Sequence, residues 1–92
     1  TPSTAAAIAR ILKVCGHPVR LRLLCAIENK QPCVSDLWQC LDEDQPVVSQ
    51  HLAVLKRAGI VRSKANGNRR MYSLTDAFVK ALIASLATVR GT

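Results

Sequence analysis

The fold is indicated most directly by residues 46–74, which read PVVSQHLAVLKRAGIVRSKANGNRRMYSL. In the first half of this stretch, apolar residues recur at spacings of three and four, which is the period of one helix face. Pro46 suits the first turn of a helix, and Gly59 suits the position just after its end. We therefore predict a helix over 46–58.

The second half of the stretch has the pattern of a β-hairpin. Two strand-like runs cover 60–64 and 70–74, and residues 65–69 lie between them. The intervening residues contain an Asn-Gly pair at 66–67, and both residue types tolerate the positive φ that tight hairpin turns require. We predict a two-stranded β-hairpin, or wing, directly after the helix.

The residues before this stretch predict further helices. Apolar spacing predicts a helix over 3–14, with Ser3 or Thr4 as its N-cap, and a second helix that begins at Pro18 and ends near 28–29. The residues that follow give a weaker pattern. They predict a short edge strand over 31–34 and a short helix over 36–41 that is capped by Ser35.

A last helix is predicted after the hairpin, with Thr75 as its cap and Asp76 in its first turn. The resulting order is helix, helix, short strand, helix, helix, hairpin, helix. This order is typical of a mainly α (α+β) winged helix-turn-helix. The length of 92 residues predicts a single domain over 1–92.

The charge of the chain indicates a polyanionic partner. Thirteen Lys and Arg against six Asp and Glu give a formal net charge of +7, which favours nucleic acid first and an anionic membrane surface second. Residues 56–70 hold six basic residues and no acidic one. The sequence shows no apolar run long enough for a membrane span and no basic start of a signal peptide, so we expect a cytoplasmic protein without a membrane partner.

Polar and basic side chains of the helix over 46–58 and of the wing are the expected contacts to duplex DNA. Such side chains reach base edges when a helix N-terminus enters the major groove, and hairpin cations reach phosphates or the minor groove. A solvated helix face and an edge hairpin kept soluble by Lys and Arg are the alternatives. The expected DNA-binding residues are Gln45, Ser49, Gln50, His51, Arg57, Lys64, Asn68, Arg69 and Arg70.

Three segments together resemble a known family: GHPVRLRLL at 16–24, VVSQHLAVLKRAGIV at 47–61 and RMYSL at 70–74. They are similar to the ArsR/SmtB family of winged-helix transcriptional repressors. The resemblance implies a homodimer joined by the first and last helices, a recognition helix at 46–58, a wing at 60–74 and release from an operator when an effector binds. Wide apolar faces on the first and last predicted helices also favour a dimer.

The cysteines are the candidate effector site, and we expect reduced thiols in a chain without export signals. Metal repressors of the family carry Cys-x-Cys in the helix after the second one. Some of them have a third Cys. In this chain Cys33 occupies the place of the first Cys, but Ser35 and Trp38 occupy the places of the second and third, so the family's three-thiolate arsenic site is not carried over. Cys25 resembles one thiol of the persulfide-responsive branch, whose partner near the end of the last helix is absent at 88–91.

We expect Cys25 and Cys33, followed by Cys40, to sense a persulfide, an oxidant or arsenite, while Cys15 lies on an apolar stripe and is expected in the core. No cofactor or metal site is assigned beyond a possible thiophilic ligand at these cysteines. The predicted function is a homodimeric repressor released from its operator by a thiol-directed signal. The alternative is a winged-helix module with purely structural cysteines, acting through protein contacts or answering a non-thiol signal.

Enzyme chemistry is not predicted. The chain has no Cys-x-x-Cys motif, and neither His17 nor His51 has an acidic partner in a recognisable catalytic arrangement. His17 could be a metal ligand or a proton switch, but its position directly before Pro18 favours helix capping or loop packing.

Overall fold

The computed structural model describes residues 2–29 and 41–90. The predicted strand over 31–34, nearly all of the predicted helix over 36–41, and with them Cys33 and Cys40, lie outside the described residues. The rest confirms the mainly α fold with a two-stranded hairpin. In chain order the elements are α1 (Pro2–Cys15), α2 (Pro18–Glu28), α3 (Gln45–Arg57), β1 (Val61–Asn66), β2 (Arg69–Leu74) and α4 (Ala77–Arg90).

The junction between α1 and α2 is fixed by His17. Its Nδ1 atom accepts a hydrogen bond from the backbone N–H of Val19 at 3.1 Å, which satisfies one of the unpaired donors at the start of α2. The capping role predicted for His17 is confirmed. The predicted cap of the preceding helix is wrong, because α1 begins at Pro2 and Ser3 and Thr4 lie inside it.

Helix α3 ends in a tight motif that directs the chain into the wing. Gly59 has a φ of +76°, a left-handed conformation that L side chains rarely adopt. Its N–H donates to the carbonyl of Lys56, and the N–H of Ile60 donates to the carbonyl of Leu55, both at 3.0 Å. This pair of bonds is a Schellman motif, in which glycine is the preferred residue.

The wing is an antiparallel hairpin whose strands extend further than predicted. Val61 pairs with Leu74 at the base and Asn66 pairs with Arg69 at the tip, so only two residues form the connection. The hairpin that the Asn-Gly pair predicted is confirmed, with Asn66 as the last residue of β1. Of these tip residues only Gly67 has a positive φ, at 65°, which is the pattern of a type II′ turn with glycine in first place.

The start of α4 corrects another predicted cap. Asp76, rather than Thr75, caps this helix, because its Oδ1 accepts from the backbone N–H of Val79 at 2.9 Å. The Thr75 hydroxyl instead donates to the carbonyl of Gly59 at 2.9 Å. This bond links the end of α3 to the start of α4 next to the base of the wing.

One apolar core joins α2, α3, the base of the wing and α4. Its fully buried side chains include Leu23 and Leu24 of α2, Val48 and Leu55 of α3, and Val79 of α4. Since α3 buries one face in this core, its opposite face is turned to solvent. Within the described part of the chain, no helix is both long and apolar enough to cross a membrane.

Candidate nucleic-acid interface

Helix α3 exposes one continuous polar face. Val48, Leu52 and Leu55 are buried on the other side of the helix. The exposed residues recur at helical spacing and are Gln45, Pro46, Ser49, Gln50, Ala53, Lys56 and Arg57. Amide and hydroxyl side chains near the N-terminus of an exposed helix can reach base edges in a major groove.

The wing presents cations on both of its faces. Side chains alternate along a strand, so Arg70 lies on the face that carries the buried Val61 and Leu74, whereas Lys64 and Arg69 lie on the outer face. All six basic side chains between residues 56 and 70 are exposed. The wing therefore offers positive charge on the side of α3 as well as on the opposite side.

Two serine hydroxyls bind cations at the wing. The Oγ of Ser63 accepts from Lys56 Nζ at 3.0 Å and from Arg70 Nη1 at 3.5 Å. On the outer face, Arg62 Nε donates to Ser73 Oγ at 3.4 Å. Lys56 and Ser63 were not among the residues predicted to bind DNA, and the charge of the segment was the only sequence signal that pointed to Lys56.

His51 differs from the other predicted DNA-binding residues because its ring is partly buried against α2. Its Nδ1 accepts from Arg20 Nε at 3.1 Å, and its ring centroid lies 4.3 Å from that of His17. Arg20 also donates to the carbonyl of Val14 at 3.1 Å. Burial lowers the pKa of His51, the charges of His17 and Arg20 lower it further, and Glu43 opposes them.

A second arginine of α2 holds the residues that lead into α3. Arg22 Nη1 donates to the carbonyl of Leu41 at 3.3 Å, and its Nη2 lies 3.4 Å from Glu43 Oε2. Asp42 between them has a positive φ of 56°. The positioning roles of Arg20 and Arg22 were not predicted, although two arginines that alternate with leucines in an apolar helix are a signal of such roles.

The two described cysteines lie in different surroundings. Cys15 is 2% exposed and belongs to the core, as its position on an apolar stripe predicted. Burial raises the pKa of the Cys15 thiol, Asp76 raises it further, and Arg20 opposes. Cys25 is half-buried and packs against the core from α2. Over residues 2–29 and 41–90, no group of three or more His, Cys, Asp or Glu side chains could hold a metal ion.

Large apolar side chains are exposed on the first and last helices. Ile8 and Leu12 of α1 are 36% and 45% exposed, and Phe78 of α4 is 41% exposed. Ile8 and Leu12 are four residues apart and so lie on the same side of α1.

Comparison with known proteins identifies the family. Residues 17–63 match the family described as "Bacterial regulatory protein, arsR family", a span that runs from the cap of α2 into β1. The biofilm growth-associated repressor of Xylella fastidiosa is 38% identical over 82 residues, which cover 89% of this chain and 72% of that protein.

Solved structures agree with this match. The transcriptional activator HlyU of Vibrio cholerae is 34% identical over 76 residues, which cover 83% of this chain and 70% of that protein. Its reduced form superposes with a TM-score of 0.91 at 31% identity, covering 96% of this chain and 93% of the other. The homodimeric winged helix-turn-helix DNA-binding domain Mb0332 of Mycobacterium bovis has the same fold, with a TM-score of 0.82 at 22% identity over 98% of this chain and 83% of the other.

These matches agree with the geometry, in which an exposed polar helix is followed by a basic hairpin. The similar proteins are transcriptional regulators rather than enzymes. The chain is a member of the ArsR/SmtB family of winged helix-turn-helix DNA-binding transcriptional regulators.

Proposed function

We propose that the chain is a homodimeric, sequence-specific repressor that binds duplex operator DNA in the cytoplasm and is released by a thiol-directed signal. Residues 1–92 supply both the DNA-binding and the dimerisation surfaces. The observation that carries the proposal is the position of the exposed polar face of α3 beside a wing with exposed cations, in a segment from 45 to 75 that has no carboxylate.

The proposed DNA contacts divide into two classes. Gln45, Ser49 and Gln50 are exposed on the N-terminal half of α3 and are suited to base edges. Cationic and amide side chains farther along are suited to phosphates and the minor groove, and these are Arg57, Lys64, Asn68, Arg69 and Arg70. His51, the remaining proposed contact, also holds α3 against α2, because its Nδ1 accepts from Arg20.

Dimerisation through α1 and α4 is supported by their exposed apolar side chains. A second copy of the chain would cover Ile8, Leu12 and Phe78, which otherwise remain in contact with water. A two-fold axis through these helices would present two α3 helices to half-sites about 34–36 Å apart. The Mycobacterium bovis domain of the same fold is homodimeric, which supports a dimer as such.

Cys25 is the central thiol of the proposed sensor. This half-buried thiol lies on α2, one turn after the arginines that hold α3 and the residues before it. Adding a sulfur atom, an oxygen atom or arsenic at Cys25 would enlarge a side chain that packs against the core, and α2 would have to shift. We propose that Cys33 and Cys40 supply further thiols and that the shift moves α3 away from the operator.

The alternative keeps the cysteines structural. The burial of Cys15 and the core packing of Cys25 favour it, because cysteine is among the residue types most often buried. In that case the regulator would answer a non-thiol signal or act through protein contacts.

DNA binding with purified, reduced protein tests the proposal. A duplex selected from a random library is labelled, and its binding is followed by fluorescence anisotropy before and after addition of arsenite, a persulfide donor or an oxidant. We expect tight binding, its loss after one of these treatments, and persistence of binding in Cys25→Ser. Cys15→Ser is the matched control and should still release the duplex. Release from Cys25→Ser equal to that of the wild type would contradict a role for this thiol.

The base-reading and phosphate contacts can be separated with the same assay. Gln50→Ala should mainly reduce the preference for the selected duplex over a scrambled one, because a good side-chain pair to a base gives about 1–3 kcal/mol of discrimination. Replacing Arg69 and Arg70 by Gln should mainly make the salt dependence shallower.

A further inference from the structure

We propose that Lys56, Ser63 and Arg70 form a phosphate-binding site in the angle between α3 and the wing. The occupant is a single phosphate of the DNA strand that runs between the major groove and the adjacent minor groove. This proposal rests on the proposed DNA-binding function and assigns one backbone contact within it.

The three side chains come from three elements and meet at one atom. Lys56 stands at the C-terminal end of α3, Ser63 on β1 and Arg70 on β2. Both cationic groups lie within 3.5 Å of Ser63 Oγ. Ser63 and Arg70 share the face of the hairpin that continues into the core, which is the face towards α3.

The charges at this point are not balanced within the described part of the chain. The hydroxyl that accepts both cations is neutral, and the structure gives neither Lys56 nor Arg70 a carboxylate partner there. Two like charges directed at one neutral acceptor repel each other, and an anion between them relieves that repulsion. A phosphate oxygen accepts charge-assisted bonds from ammonium and guanidinium groups, and the serine hydroxyl can then donate to it.

The location matches the path of the DNA backbone. When a recognition helix occupies the major groove and a hairpin reaches the neighbouring minor groove, one sugar-phosphate strand passes between the two elements. Lys56 comes from α3 and Arg70 from the wing, and both already bond to the Ser63 hydroxyl, so little side-chain freedom is lost when the phosphate arrives.

Arg62 provides a matched control on the same strand. It is adjacent to Ser63, it also donates to a serine hydroxyl, and it is exposed, but it lies on the opposite face of the hairpin. Arg62→Gln therefore removes the same charge as Arg70→Gln at a site that does not face α3.

The test combines salt dependence with a scan of the DNA backbone. The selected duplex is prepared with a single neutral methylphosphonate at each position in turn. Its affinity for the wild type, Lys56→Gln, Arg70→Gln, the double variant and Arg62→Gln is measured from 50 to 200 mM KCl. Thermal denaturation of each variant confirms that it is folded.

We expect the slope of log K against log salt in the double variant to fall by about 0.9 per subunit, the value for one phosphate. One methylphosphonate position should weaken binding by the wild type and by Arg62→Gln but leave the double variant unaffected. An unchanged slope, or a slope that falls by about 1.8 per subunit, would overturn the shared site. It would also be overturned if every methylphosphonate position that weakens binding by the wild type also weakened binding by the double variant. If only the phosphate-site proposal fails, the wild type still binds the selected duplex selectively and with a steep salt dependence. If the wild type binds no duplex, the proposed function fails as well.

Discussion

Gly59 lies between the end of α3 and the start of the wing, and Gly59→Ala is expected to destabilise the protein. Its φ of +76° lies in the left-handed region, and apart from the glycine itself and its two chain neighbours no heavy atom lies within 4 Å of the position that a Cβ would take. The effect of alanine is therefore backbone strain alone, without a steric clash. Left-handed backbone costs an L residue about 1–2 kcal/mol.

The net effect is smaller than the strain, because alanine also reduces the freedom of the unfolded chain by about 0.4–1 kcal/mol. We expect a net loss of about 1 kcal/mol, which lowers Tm by roughly 4–8 °C in a domain of this size. Thermal denaturation at fixed protein concentration measures this decrease in Tm. Gly59→Asn is the matched control and should lose less, because asparagine tolerates the left-handed region better than alanine. An unchanged or higher Tm for the alanine variant would show that the left-handed backbone at Gly59 is not a source of strain for alanine.

Three further predictions concern the helix cap, the partly buried His51 and the dimer. Asp76→Ala removes the acceptor for the N–H of Val79 and should cost about 0.5–2 kcal/mol in urea denaturation. The folded state lowers the pKa of His51, so the unfolded chain binds more protons near pH 6.5. The free energy of unfolding should therefore fall as the pH decreases from 7 to 5, and it should fall less in His51→Gln. Leu12→Glu, at an exposed apolar position, should raise the dimer dissociation constant more than about tenfold in sedimentation equilibrium; self-association equal to that of the wild type would exclude α1 from the interface.

The parts of the fold that depend on local sequence were predictable. The change of period at Gly59 located both α3 and the wing, because the helix and strand periods differ and only glycine readily takes the left-handed turn between them. The cap of α4 was not predictable in the same way. Thr75 and Asp76 are both good capping residues, and the Thr75 hydroxyl is bound to the carbonyl of Gly59, 16 residues earlier.

The candidate site was predictable in composition but not in its internal contacts. The exposure of Ser49 and Gln50 follows from helical spacing alone. The placement of His51 depends on Arg20, which is 31 residues away in sequence. Lys56 and Arg70 share the Ser63 hydroxyl only because β2 pairs with β1 next to the end of α3. Contacts of this kind arise from tertiary packing, which periodicity in a single sequence does not report.

The DNA-binding surface is tested most directly by a titration of isotope-labelled protein with the selected duplex, followed by backbone amide chemical shifts. We expect the largest shifts at Ser49, Gln50 and Asn68–Arg70 and little change at the amides near Ile8 and Leu12. Largest shifts along α1 and α4, with α3 and the wing unaffected, would contradict the assignment of the DNA-binding surface.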